Sequence, residues 1–194
     1  MSGMSARIDA LLAASVAAGE VPGVIATVGT ADEVLYEGAA GVRRAGGSEA
    51  MTTDTVVWIA SMTKAITGTA AMQQVEQGRL SLDEPIAEIL PQLGKVQVLD
   101  GFDADGAPQL RAPKRPVTLR HLLTHTSGYS YDLFNKNVGS YMEYHQLPSI
   151  ATCKYDSLKA PLVFDPGERW EYGIGIDWAG RIVEIVSGQP LEAY

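Results

Sequence analysis

Trp58-Ile59-Ala60-Ser61-Met62-Thr63-Lys64 is the stretch on which the reading of this chain turns. Ser61 and Lys64 stand three positions apart. On a helix such residues share one face, a turn apart. A serine hydroxyl is a poor nucleophile until a base takes its proton, and a lysine kept partly neutral by desolvation or a second cation can do that. The N–H groups of a first helical turn lack partners inside the helix and suit an oxyanion or a carboxylate. Three requirements of acyl transfer thus meet within four residues. Ser-x-x-Lys alone is also an ordinary solvated helix start with serine as the cap. Two features favour the chemical reading. Ser61-Met-Thr-Lys64 is the single Ser-x-x-Lys in the chain. The run before it, Thr55-Val-Val-Trp-Ile-Ala60, reads as a buried strand or apolar approach, which would deliver the hydroxyl from a hydrophobic segment.

The rest of the composition narrows the class. With 194 residues the chain has room for one domain with a real core. Hydrophobic residues at 46% and charged residues at 20% exclude a disordered chain. A net charge of −8 argues against nucleic acid and against an anionic membrane surface. The lone cysteine, Cys153, allows no internal disulfide and reads as a small buried apolar residue. Near the N-terminus Arg7, Asp9 and Glu20 flank or interrupt the apolar run, which predicts an amphipathic helix and not a signal peptide. No run approaches membrane-spanning length, so the cytoplasm is the expected compartment.

Taken in order, the pattern predicts a helix from Ser5 to about Ala18, stopped by Gly19 and Pro22. Strands at Val24–Val28 and Val34–Gly41 form an antiparallel hairpin. A polar loop follows, and then the Ser61 helix runs to about Gln77 with Gly78 as its stop. Its inner side would carry Ile66, Ala70 and Val75. A short helix begins at Ser81–Pro85 and ends at Pro91. Val96–Arg111, holding Asp103-Ala-Asp-Gly106, reads as an excursion hairpin. Thr118 caps a helix to Thr124, His125–Tyr129 is a polar loop, and short helices lining a cleft are expected between Asp132 and Leu162. Pro166-Gly167 makes a turn, and Gly175–Val186 is a helix ended by Gly188.

Three ordered motifs, Ser61-Met-Thr-Lys64, His121-Leu-Leu-Thr-His-Thr-Ser-Gly128 and Pro166-Gly-Glu-Arg-Trp-Glu-Tyr172, give the chain a resemblance to the serine β-lactamase-like superfamily, most closely family VIII carboxylesterases. These are relatives of class C β-lactamases and D-alanyl-D-alanine carboxypeptidases. The resemblance implies an α/β (α+β) sandwich of antiparallel sheet and helices beside a helical region, with the active site between them. It also implies that residues 1–194 are the N-terminal half of one domain, with 1–57 giving a helix and the first strands and 58–194 the mainly helical region. By the same resemblance Ser61 is the acyl-accepting nucleophile, Lys64 its proton partner and Tyr172 the general base or relay, while Ile174, Tyr129 and Trp58 are the substrate-binding candidates. On its residues alone Tyr172 reads more readily as a half-buried strand aromatic, since a phenol is a poor base unless a cation such as Lys64 stabilises its phenolate, and it is the resemblance that reverses this.

The chain departs from the lactamase pattern. Where lactamases carry Tyr-x-Asn it has Tyr172-Gly173-Ile174, which removes an amide that would hold a β-lactam and favours esters. The family's third motif, a Lys-Thr-Gly or its variants, is absent. The expected activity is therefore hydrolysis of short-chain carboxylic esters through an acyl-enzyme on Ser61, needing no cofactor or metal. A C-terminal half, as continuation or separate chain, would supply the remaining sheet, the third motif and a second oxyanion donor. The rival readings are a β-lactamase or D-alanyl-D-alanine carboxypeptidase, and a non-catalytic penicillin-binding-like module. A triad built on His125 is a weaker alternative, a lone histidine among hydroxyls being more often structural. No Gly-x-Ser-x-Gly elbow supports an α/β-hydrolase.

Overall fold

The structure is a computed structural model that describes residues 3–194. The chain divides into two compact units, Met1–Ile59 and Ala60–Tyr194.

In the first unit, helix α1 (Gly3–Ala17) packs beside an antiparallel hairpin of β1 (Gly23–Gly29) and β2 (Val34–Gly41). The register pairs Val24 with Ala40 and Val28 with Tyr36. The half-buried residues Ile8, Leu12 and Val16 of α1 recur at helical spacing, while Leu11 faces solvent at 65% exposure. Tyr36 is buried, and its hydroxyl donates to Asp9 at 2.7 Å, tying the hairpin to the helix. The run Thr55–Ile59 is neither strand nor buried. Val56 is 97% and Trp58 94% exposed. An apolar run signals burial only where another element covers it, and none among the described residues does so here.

In the second unit the order is α2 (Thr63–Glu76), the hairpin β3 (Val98–Phe102) and β4 (Pro108–Arg111), then α3 (Leu119–Leu123), α4 (Lys136–Tyr144) and α5 (Gly175–Ser187). Its core gathers Leu80, Leu93, Val98, Leu119, Leu122, Val138, Leu162, Ile174 and Ile182. The buried side of α2 is Thr67, Ala70, Ala71 and Gln74. Ile66 stands 62% exposed, one residue off that stripe, against expectation. Ala70 and Ala71 cluster with Val183 of α5, small residues that let the two helices approach closely. Pro91 starts a 3₁₀ turn, Pro91–Gly94, where the sequence suggested an end; proline suits a first helical turn because its missing N–H is not needed there. Cys153 is exposed and left-handed at φ 54°, the C-cap of a short 3₁₀ turn and no core residue. Thr118 caps α3, accepting from the His121 N–H while His121 Nδ1 accepts from the Thr118 N–H.

Asp165 anchors the excursion hairpin. Its side chain has no solvent exposure and accepts two hydrogen bonds from Arg111 at 2.9 Å and one from the Lys114 N–H at 2.7 Å. This holds β4 against the segment that leads to Tyr172.

Candidate active site

Ser61 lies in a 3₁₀ turn, Ala60–Met62, that runs directly into α2. Ala60, just before it, is left-handed at φ 45°, a conformation unfavourable for a residue with a Cβ by about 1–2 kcal/mol. The bend presents the Ser61 hydroxyl at the exposed start of the helix. Lys64, one turn on, donates from Nζ to Ser61 Oγ at 3.2 Å. From the far end of the chain the Tyr172 hydroxyl donates to the same oxygen, also at 3.2 Å. The nucleophile candidate thus has an ammonium and a phenol on one oxygen.

Tyr172 reaches that place because two glycines let backbones meet. A Cβ on Gly173 would lie 2.5 Å from both Ser130 Cα and Tyr129 O. One on Gly128, itself at φ 95°, would lie 2.3 Å from Phe164 O. The loop after α3 and the strand-like run before α5 therefore pack backbone to backbone. His125, left-handed at φ 56°, lies against the Tyr172 ring with centroids 4.7 Å apart. Its Nδ1 accepts, over 3.5 Å, from the Gly173 N–H. Among the described residues no hydrogen bond joins it to Ser61, so it wedges Tyr172 and completes no triad. Trp170 and Phe134 flank the same ring at 6.4 and 6.2 Å and are 65% and 71% exposed.

The charges differ from the sequence expectation in one respect. Burial pulls the Lys64 ammonium down, but hydrogen bonding to the Tyr172 and Tyr131 oxygens outweighs it and raises its pKa above the ordinary lysine value. The raised pKa favours the ammonium over a partly neutral base. Tyr172 moves the other way. Its hydrogen bond to Ser61 lowers its pKa below the ordinary phenol value, and Lys64 lowers it further. This pairing favours the phenolate as the proton acceptor. His125 is held below its usual value by burial and by Lys64.

Two substrate-binding candidates lie elsewhere. Tyr129 is 1% exposed, with its ring 6.3 Å from Trp178, and burial raises its phenol far above the usual range. Ile174 is 2% exposed and belongs to the core with Leu119 and Leu122. Ile174 presents no exposed side chain, whereas Tyr129 lines a cavity of about 250 Å³ with Leu93, Tyr155 and Trp178, whose lining does not include Ser61, Lys64 or Tyr172. Trp58 is exposed, in the first unit. Sequence reasoning missed Tyr131, Asp177, Phe134 and Trp170. The aromatic density around Tyr172 was the one signal that could have found them. Among the described residues no group of three or more His, Cys, Asp or Glu could hold a metal ion, and no helix is long and apolar enough to cross a membrane.

Residues 8–194 match the family described as Beta-lactamase. The chain belongs to that family. It is 38% identical to the acyltransferase mokF of Monascus pilosus over 97% of this chain and 47% of that protein. It is 37% identical to the lovastatin esterase of Penicillium rubens, over 95% of this chain and 47% of that protein. Among solved structures, unliganded simvastatin synthase LovD from Aspergillus terreus superposes with a TM-score of 0.85 at 34% identity, over 100% of this chain and 50% of that one. The chain thus has the β-lactamase/transpeptidase-like fold and spans about half the length of the curated relatives it matches.

Proposed function

We propose that this chain carries the nucleophile half of a serine enzyme that cleaves short-chain carboxylic esters in the cytoplasm. Ser61 Oγ attacks the ester carbonyl and passes its proton to the Tyr172 phenolate. Tyr172 then protonates the departing alkoxide, leaving the acyl group on Ser61. Water, activated in the same way, releases the acid and restores the hydroxyl. Lys64 remains an ammonium and stabilises the phenolate. The observation that carries this reading is the convergence of Lys64 Nζ and Tyr172 OH on Ser61 Oγ, each at 3.2 Å. The Ser61 N–H would be one oxyanion donor. The second, together with the third motif, would come from the part of the family fold that this chain does not span, in line with residues 1–57 and 58–194 as the two portions of an N-terminal half-domain.

The preference for esters over lactams rests on the want of a side-chain amide two residues after Tyr172, where Ile174 points into the core. A site built to hydrogen-bond a substrate group discriminates strongly; one without that group does not. A second reading shares the first step. Relatives named acyltransferases, mokF among them, stand beside the esterase relative, and an alcohol in place of water would make the reaction a transfer.

The test is labelling and turnover. A fluorophosphonate should add its mass at Ser61, and Ser61→Ala should abolish both that adduct and p-nitrophenyl butyrate hydrolysis in the protein assembled with the rest of the fold. Adding a primary alcohol separates the two readings, an ester product marking transfer. Cephalosporin turnover equal to ester turnover would favour a β-lactamase, and failure of the phosphonate to label Ser61 a non-catalytic binding module.

A further inference from the structure

Lys64 is ringed by hydroxyls. Its Nζ lies 3.2 Å from Ser61 Oγ, 5.2 Å from the Tyr172 ring centroid and 5.7 Å from that of Tyr131. Tyr131 helps to hold the Lys64 charge, raising the pKa of the ammonium. Tyr131 is 8% exposed, and its ring sits 5.3 Å from that of Tyr172. Over 3.5 Å the Tyr131 hydroxyl donates to Asp177 Oδ2. Asp177 occupies the first turn of α5, where the helix dipole favours a carboxylate. A carboxylate, a phenol and an ammonium therefore stand in a row that ends on the Ser61 oxygen. Among the described residues that influence this row, Lys64 is the cation and Asp177 the carboxylate, with Tyr172 and His125 completing the set.

We propose that Asp177, acting through the Tyr131 hydroxyl, is the counter-charge that fixes Lys64 as an ammonium beside Ser61. At 3.5 Å the hydrogen bond itself is weak, but charge interaction falls off slowly with distance and persists. Asp177 is exposed, so solvent screens it in part and its influence is moderate. Its effect on chemistry rests on the proposed role of Ser61. With Lys64 held cationic, Tyr172 is the remaining group that can take the serine proton. Asp177 is then a positioning residue: it touches no reacting atom and acts through the state of Lys64. Desolvation by neighbouring protein atoms raises the Asp177 pKa, and Lys64 opposes that rise.

The experiment reads the state of Lys64 directly. The chain is trace-acetylated from about pH 7 to about pH 11, a range that brackets the ordinary lysine value, and modification of the Lys64 peptide is quantified by mass spectrometry. Asp177→Asn keeps the hydrogen bond and removes the charge; Tyr131→Phe keeps the ring and removes the hydroxyl. Both should lower the Lys64 midpoint and raise its acetylation at about pH 9 by roughly threefold. Asp177→Glu should restore the parent midpoint. An unchanged midpoint in Asp177→Asn overturns the proposal. If that variant loses its near-ultraviolet circular dichroism, Tyr131→Phe decides, and an unmoved midpoint there overturns it equally. Labelling needs no turnover, so it stands or falls apart from the esterase reading, which Ser61→Ala tests.

Discussion

At Tyr172 the pH of the chemistry is set by neighbours pulling in known directions. Ser61 and Lys64 lower its pKa, while Tyr172 and Tyr131 raise that of Lys64. In the proposed mechanism the active form has Tyr172 without its proton and Lys64 with it. Ester kcat/KM should therefore rise with pH as Tyr172 ionises, below the ordinary phenol value, and fall only when Lys64 deprotonates, above the ordinary lysine value. A pH–rate profile checks this; a rise that follows a histidine near neutrality would assign the base elsewhere. Tyr172→Phe should reduce kcat by about 10²–10⁴, the range typical of a general base. Because both groups bond one oxygen, Lys64→Ala and the double variant should fall to a similar rate and not multiply. Loss of only a few-fold for each, multiplying in the double, would show independent groups.

Among the elements, two contacts hold the site in place, and each makes a prediction. Arg111 holds the Asp165 carboxyl well below the usual carboxylate range, and the Lys114 N–H adds to this. A carboxyl with a lowered folded-state pKa contributes stability that is present above its unfolded value and is lost as pH falls toward the folded one. Acid unfolding monitored by circular dichroism should accordingly start at higher pH in Asp165→Asn, whose melting temperature at neutral pH should also be lower. Between α2 and α5, Ala71 and Val183 have no exposure. Ala71→Leu would overpack that seam and should destabilise by about 1–3 kcal/mol in urea titration.

These contacts also show where sequence is and is not enough. The helices around Ser61 and after Gly175 were legible because their periodicity and glycine stops are local signals. The excursion hairpin was legible through Asp103-Ala-Asp-Gly106. The motifs marked Ser61, Lys64 and Tyr172 before any coordinates placed them together. Tyr131 and Asp177 were not legible, because nothing local distinguishes a tyrosine that will face Lys64 from one that will not. The burial of Ile174 and Tyr129 was not legible for a related reason. Both adjoin motif residues, and adjacency in sequence does not fix where a side chain points: Ile174, at φ −73° and ψ 16°, has left extended backbone and begins α5 with its side chain in the core.

Over the whole molecule, α2 presents an apolar outer surface. Met62 is 65%, Ile66 62% and Met72 44% exposed, and a cleft of about 520 Å³ lined by Gly68, Met72, Leu123 and Ile176 opens beside Lys64. Apolar patches of this kind associate in water. The chain on its own should elute from gel filtration above its monomer mass of 20.7 kDa, and Ile66→Lys with Met72→Lys should shift it toward monomer. A sharp monomer peak for the parent chain would contradict this.

The two partners of Ser61 come from very different distances along the chain. Lys64 is three residues away, whereas the hydrogen bond from Tyr172 spans 111. The first contact forms whenever one helical turn forms, within about a microsecond. The second must close a long loop and wait for the backbones around Gly173 and Gly128 to meet. During synthesis the serine and its ammonium therefore exist well before any proton acceptor does. At about 5–20 residues per second the ribosome takes several seconds to deliver Tyr172, and on the proposed mechanism Ser61 stays chemically silent for that interval.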